Sequence, residues 1–226
     1  MSDGKDRMID AALMHVPFDG WSEFSFRAAA ADIDMTDAEA RALFPRGAVD
    51  LAMAFHARGD AAMVAAMAEA DLSALRYRDR VAFGVRKRLE LVEDDKEAVR
   101  RGVTLFALPM HAADGAKALW QTADAIWTAL GDTSDDLNWY TKRATLSGVY
   151  SSTVLYWLGD QTAEHAATWD FLNRRIDNVM AFEKVKSTVR KNTLLKPFLA
   201  GPEWLASRIK APSRTAPDDL PGRWRG

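Results

Sequence analysis

The side chains best suited to chemistry in this chain are four histidines, His15, His56, His111 and His165, and several paired acids. A metal site or a general acid–base pair on a helix needs such groups on one face, three or four residues apart. No two of the histidines stand at i, i+4, and none forms the E-x-x-H pair of a carboxylate-bridged di-iron bundle. HExxH, GxSxG, a P-loop and a Gly-rich dinucleotide turn do not occur. With no Cys in the sequence, disulfides, thiolate ligands and Cys nucleophiles are excluded. Asp94-Asp95 and Asp135-Asp136 fall at expected helix starts, where carboxylates favour the dipole, so capping is the role expected of them. The expectation is a chain that binds rather than catalyses, with no metal and no nucleophile.

The binding chemistry centres on residues 136–158, DLNWYTKRATLSGVYSSTVLYWL. The segment opens polar, sets Trp139 beside Tyr140 and Lys142 beside Arg143, and ends apolar. Leu146, Val149, Tyr150, Val154 and Trp157 recur at steps of three and four, as one side of a helix requires. Ala144, Leu155 and Leu158 fill other sides, so the helix reads as apolar nearly all round. Such a helix is buried in a bundle or lines an apolar cavity. Spacing alone leaves both open.

The elements that must position this helix read as all-α, with no β-alternation anywhere. Residues 5–16 form a first helix, ended by Pro17 and Gly20, and a second starts at Arg27. Thr36 and Glu39 make a capping box for a short third helix, and a longer one begins at Ala48 after Phe44-Pro45-Arg46-Gly47. Asp71 or Ser73 caps the next, whose arginines at 76, 78, 80, 86 and 88 read as a solvated face. A further helix stops at Pro109. Residues 114–130 repeat apolar side chains at Leu119, Trp120, Ala123, Ile126, Trp127 and Leu130 before Gly131. Gly159 ends the central helix and Thr162 caps the one that follows.

Residues 1–70 resemble the N-terminal helix-turn-helix head of TetR-type regulators. Charge argues against its usual use. Residues 1–75 hold 6 Lys and Arg against 13 Asp and Glu. The candidate recognition helix, Asp37-Ala38-Glu39-Ala40-Arg41-Ala42, sets two acids against one base, where phosphate contacts need Lys, Arg and neutral donors. Nucleic acid is therefore not an expected partner. The tail is the reverse: residues 184–226 hold 10 Lys and Arg against 3 acids. Within 184–210, Lys191 and Arg208 accompany Leu194, Leu195, Phe198, Trp204, Leu205 and Ile209, the pattern of a basic amphipathic segment on an anionic membrane surface. Pro197 and Pro202 interrupt it, and residues 211–226 read as a disordered end. The start, MSDGKDRMID, carries neither a signal nor a transit pattern, and no apolar run approaches a membrane span. The expected location is cytoplasmic, peripheral on the inner membrane of a bacterium.

Three stretches together resemble the Coq-nine family of ubiquinone biosynthesis accessory proteins. They are LPMHAADGAKALWQTADAIWTALGD, DDLNWYTKRATLSGVYSSTVLYWLGD and TWDFLNRRIDNVM. The resemblance implies a TetR-like helical bundle whose body, residues 71–183, binds a phospholipid or an isoprenoid quinone intermediate rather than DNA. It implies a pocket drawing on Leu146, Val149, Tyr150, Val154, Trp157, Trp120 and Trp127, with Arg143 near the lipid head group. A basic side chain among apolar neighbours suits a phosphate through a bidentate contact, with a salt bridge inside the bundle as the lesser alternative. It also implies a homodimer and a partner, the demethoxyubiquinone hydroxylase, met by Asp136, Trp139 and Tyr140. A TetR-type transcriptional regulator with an apolar effector pocket is the alternative.

Overall fold

The computed structural model describes residues 2–191, with side chains placed from residue 3 to residue 179. Among them the chain is all-α. The helices are α1 Ser2–Asp19, α2 Glu23–Asp32, α3 Asp37–Leu43, α4 Ala48–Glu69, α5 Tyr77–Glu90, α6 Lys96–Phe106, α7 Ala112–Ala129, α8 Leu137–Gly159 and α9 Ala166–Lys191. Short 3-10 turns at Pro109–His111 and Ala163–His165 lead into α7 and α9. None of these helices is long and apolar enough to cross a membrane.

Helices α1 to α3 form the head. Thr36 accepts from the Glu39 amide while Glu39 returns a bond to Thr36, so the capping box of α3 is as expected. Two boundaries differ. Helix α1 runs through Pro17 to Asp19, because only one backbone bond is lost so close to the end and Gly20 then turns at φ +67°. Helix α2 starts at Glu23, four residues before the expected Arg27, because Ser22 and Ser25 form a reciprocal cap of their own. Arg41, the only base of the candidate recognition helix, is paired with Glu23 and lies over the Phe26 ring at 5.1 Å.

The long helix α4 carries the head into the body. It packs on α1 and α2 from one side and on α5 and α7 from the other, so a single core runs from Met8 in α1 to Ile176 in α9. Helix α5 starts at Tyr77 rather than after Asp71 or Ser73, since the Asp71 carboxylate is used in a local turn to the Ser73 amide. Its arginines are not all solvated. Arg88 is 2 % exposed and Arg78 is paired with Asp177 of α9, while Arg86 lies over the Trp169 ring.

Asp136 caps α8 by accepting from the Asn138 amide at 2.8 Å, whereas Asp95 precedes α6 without a capping bond. Gly131 closes α7 at φ +74° as expected. The buried side of α8 carries Arg143, Leu146, Val149, Tyr150, Thr153, Val154, Trp157 and Leu158. Burial is one-sided, contrary to the all-round reading: Leu155 is 60 % exposed and Ala144 is also outside. Beyond α8, Asp160 rather than Thr162 is the main anchor. Its carboxylate accepts from the backbone and hydroxyl of both Thr162 and Thr168, and this holds it well below the usual carboxylate range. Those bonds, with His165 bound to Glu93 at 2.8 Å, offset a strained pair, Glu164 and His165, both at positive φ.

Of the expected membrane-binding residues, Lys191 is the last of α9. Leu194, Leu195, Phe198, Trp204, Leu205, Arg208 and Ile209 lie outside the described residues, as does the end at 211–226.

Candidate functional site

Helices α4 to α8 line an open-mouthed cavity of about 410 Å³. Its walls are Phe55 of α4, Leu89 of α5, Val99, Val103 and Phe106 of α6, Leu119 of α7, and Val154 and Leu155 of α8, with Trp21 at the head end. Trp21 is fixed by donating from Nε1 to the Ala98 carbonyl at 2.9 Å and by packing on Phe55 with ring centres 5.4 Å apart. Small residues leave the space open. Ala107, Ala112, Ala116 and Ala118 line it, and Gly115 is required where α7 crosses α6, since a Cβ there would sit 2.8 Å from Phe106 Cβ. The exposed Leu155 stands on the rim.

One patch of this wall is polar. Arg88 donates from Nε to Asp60 Oδ1 at 2.7 Å and from Nη2 to the His56 carbonyl at 3.0 Å. Thr122 Oγ1 lies 2.9 and 3.1 Å from the two Asp60 oxygens, and His56 Nε2 lies 2.8 Å from Thr122 Oγ1. Gly59 makes room for the guanidinium: a Cβ there would fall 2.6 Å from Arg88 Cζ. Burial lowers the His56 pKa to about 4, with Asp60 opposing and Arg88 reinforcing the shift. Burial also raises the Tyr150 pKa, so the phenol beside this patch is neutral. The sequence pattern gave His56 no partner, put Arg88 on a solvated face, and singled out neither Asp60 nor Thr122. One local signal existed, since His56 and Asp60 stand at i, i+4 in a helix otherwise apolar on that face.

The residues expected to bind lipid are not gathered in one place. Tyr150 and Val154 line this first cavity. Leu146, Val149 and Trp127 line a second, of about 250 Å³, between α5, α7, α8 and α9. Trp157 and Trp120 line neither. Trp157 is fully buried and donates to Glu93 Oε2 at 3.0 Å, anchoring α8 to the α5–α6 connection.

Arg143 also lies apart from both cavities, and the intrabundle salt bridge is the geometry found. Its side chain has 0 % exposure, with Nε 2.5 Å from Asp124 Oδ1 and Nη1 3.1 Å from Asp132 Oδ2. The guanidinium is 4.1 Å from the Trp139 ring centre, so its unpaired Nη2 meets an aromatic face. A cation so deeply buried requires fixed counter-charges, and the two aspartates supply them. Burial pushes the Asp132 carboxyl up, but bonds from Lys142, Ser134 and Arg143 outweigh it and hold its pKa at about 2.

Trp139 and Tyr140 are brought together as expected, with ring centres 4.8 Å apart. Trp120 of α7 joins them at 5.7 Å from Trp139 and 6.3 Å from Tyr140. All three are half-buried, and the exposed Asp136 lies at the start of the same helix. This is an aromatic ledge on the surface, backed by the Arg143 ion pairs. Among the described residues, no cluster of three or more His, Asp or Glu could hold a metal ion.

Comparison with known proteins bears on this arrangement. Residues 112–183 match the COQ9 family model, a span covering α7, α8 and most of α9, with the aromatic ledge and the part of the cavity wall that α7 and α8 supply. The chain is 31 % identical over 185 residues to the Drosophila melanogaster ubiquinone biosynthesis protein COQ9, mitochondrial, a match covering 80 % of this chain and 56 % of that protein. It is 30 % identical over 187 residues to the Xenopus tropicalis protein of the same name, covering 78 % and 57 %. The chain thus spans little more than half the length of these relatives. The resemblance to this family read from the sequence holds. A TetR transcriptional regulator from Nitrosomonas europaea superposes with a TM-score of 0.64 at 18 % identity, over 77 % of this chain and 97 % of that one, which shows the TetR-like fold. One expectation is overturned. The relatives are named as mitochondrial proteins, which points away from the inner membrane of a bacterium.

Proposed function

We propose that this COQ9-like chain is a non-catalytic lipid-binding protein of ubiquinone biosynthesis, which takes a polyprenyl quinone intermediate from a membrane and presents it to the demethoxyubiquinone hydroxylase. The observation that carries the reading is the first cavity. Its 410 Å³ is within the range of small-molecule sites, and its lining is apolar with one convergent polar patch. Burying each CH₂-sized group of a prenyl tail gains roughly 0.8 kcal/mol in lipid or in such a pocket alike. Transfer between the two is therefore nearly neutral, and a modest preference sets its direction. The basic amphipathic segment, residues 184–210, would hold the protein on an anionic surface, and the ledge of Trp139 and Tyr140 near Asp136 would meet the hydroxylase, with the protein working as a homodimer.

The DNA-binding alternative gains nothing from the geometry, since Arg41 is committed to Glu23. The test has two arms. Liposomes carrying a short-chain ubiquinone should lose it to the full chain, and a chain ending at Ala181 should float with anionic liposomes far less than the full chain does. Trp139→Ala with Tyr140→Ala should abolish hydroxylase pull-down while leaving quinone uptake unchanged. Absence of uptake contradicts the lipid role, equal flotation contradicts the tail's role, and undiminished pull-down removes the ledge from the partner interface.

A further inference from the structure

Among the described residues that line the first cavity, Ala107, Ala112, Ala116 and Leu155 are also exposed. They fix where the cavity opens. Its mouth lies at the end of α6, the 3-10 turn, the start of α7 and the outer side of α8. Leu108 and Met110 stand at that turn and do not line the cavity. They are 47 % and 78 % exposed, so they project outward from the rim, and Leu155 on α8 is 60 % exposed.

A single exposed apolar side chain needs no explanation, but several around one opening form a surface. From Gly102 to Ala113 the chain has no Asp, Glu, Lys or Arg, and from Ala144 to Gly159 α8 has none either. Charge gathers at the margins instead. Glu97 is matched by Arg100 at 3.0 Å and Arg101 at 3.1 Å, and Asp114 by Arg46 at 2.9 Å. Lys117 is exposed one helical turn beyond Ala113. The margins therefore carry more base than acid beside an apolar rim. Such a surface suits the interface of an anionic bilayer, where apolar side chains enter the acyl boundary and cations meet phosphates.

We propose that this rim is a bilayer-contact surface in its own right. Leu108, Met110 and Leu155 enter the acyl boundary and seat the mouth of the cavity on the membrane, so that a lipid passes between the two without crossing water. This rests on the reading that the protein takes its ligand from a membrane, and it adds which face meets that membrane. The basic segment 184–210 holds the chain near the surface, and the rim orients it. A protein seated on the rim would close the opening, whereas a bilayer leaves it open to lipid.

The chain has no Cys, so a single label can be placed without background. Met110→Cys, and separately Leu108→Cys, would carry an environment-sensitive fluorophore on the full chain, with Ala65→Cys on the exposed side of α4 as reference. With vesicles of phosphatidylcholine and phosphatidylglycerol, emission from 108 and 110 should move to shorter wavelength. Nitroxide groups on the acyl chains should quench it several-fold more than emission from 65. Leu108→Asp with Met110→Asp should slow ubiquinone uptake from these vesicles by about tenfold, the worth of withdrawing one large apolar side chain from the acyl boundary. If the chain floats with the vesicles but 108 and 110 respond no more than 65, the rim proposal is overturned and the membrane reading stands. If the chain does not float, both fall. A response to the hydroxylase or to rising protein concentration, and not to vesicles, would replace the bilayer with a protein partner. An unchanged uptake rate in the double variant also overturns the proposal.

Discussion

Replacing His56 by Gln should flatten the acid side of the protein's stability profile. The folded chain holds His56 at a pKa of about 4 against an ordinary value of 6.5, chiefly through burial. Its side chain is 18 % exposed and is bonded to Thr122, so solvent screens it little. A depressed base favours unfolding in acid. Above pH 6.5 both states are neutral and nothing is lost. Between 6.5 and 4 the unfolded chain binds a proton that the folded chain does not, so stability falls as pH falls. The full shift is worth about 3 kcal/mol, of which about 1 kcal/mol is lost by pH 5.5 and roughly 2–3 kcal/mol by pH 4.5. Gln is neutral throughout and can still donate to Thr122. Urea unfolding of the natural chain and His56→Gln at pH 7.5, 6.5, 5.5 and 4.5 should give stability differences that shrink or reverse by these amounts. Parallel profiles would contradict a His56 buried as a neutral ring.

Two further substitutions probe the buried cations. In a helix interior Gly→Ala ordinarily gains up to about 1 kcal/mol, yet Gly59→Ala should cost roughly 2–4 kcal/mol by displacing the Arg88 guanidinium from Asp60, and a stabilised variant in thermal unfolding would contradict that packing. Arg143→Met should cost about 1–3 kcal/mol in urea unfolding, because Lys142 and Ser134 still bond Asp132 after one buried partner is lost, while leaving quinone uptake from liposomes within about twofold under folding conditions. A selective loss of uptake would return Arg143 to the ligand site.

Local signals carried the helical framework. The Thr36–Glu39 box, Gly131 and the three-and-four spacing of Leu146, Val149, Tyr150, Val154 and Trp157 each depend on residues within one or two turns, and each appears in the fold. The candidate site was harder to read because its members meet across the sequence. Arg88 finds Asp60 28 residues away and Thr122 finds it 62 away, so one of five arginines between 76 and 88 looked solvated until α4 and α7 were placed against α5. Arg143 misled for the same reason, since Asp124 lies on α7 and Asp132 on the turn beyond it. Spacing also could not divide the apolar side of α8. Its Tyr150 and Val154 face one cavity, its Leu146 and Val149 another, and its Trp157 is core. The family resemblance supplied the ledge of Trp139 and Tyr140, and the fold added Trp120 to it.

The central claim is that the first cavity is occupied by a lipid during the protein's work. It is tested most directly by mass spectrometry of lipid extracted from the purified full chain and from a variant, Val103→Trp with Ala116→Trp, in which two indoles fill the cavity from α6 and α7. A prenylated or other long-chain lipid should accompany the natural chain in near-stoichiometric amount and be lost from a folded, filled variant. Equal lipid in both, or none in either, would contradict the account.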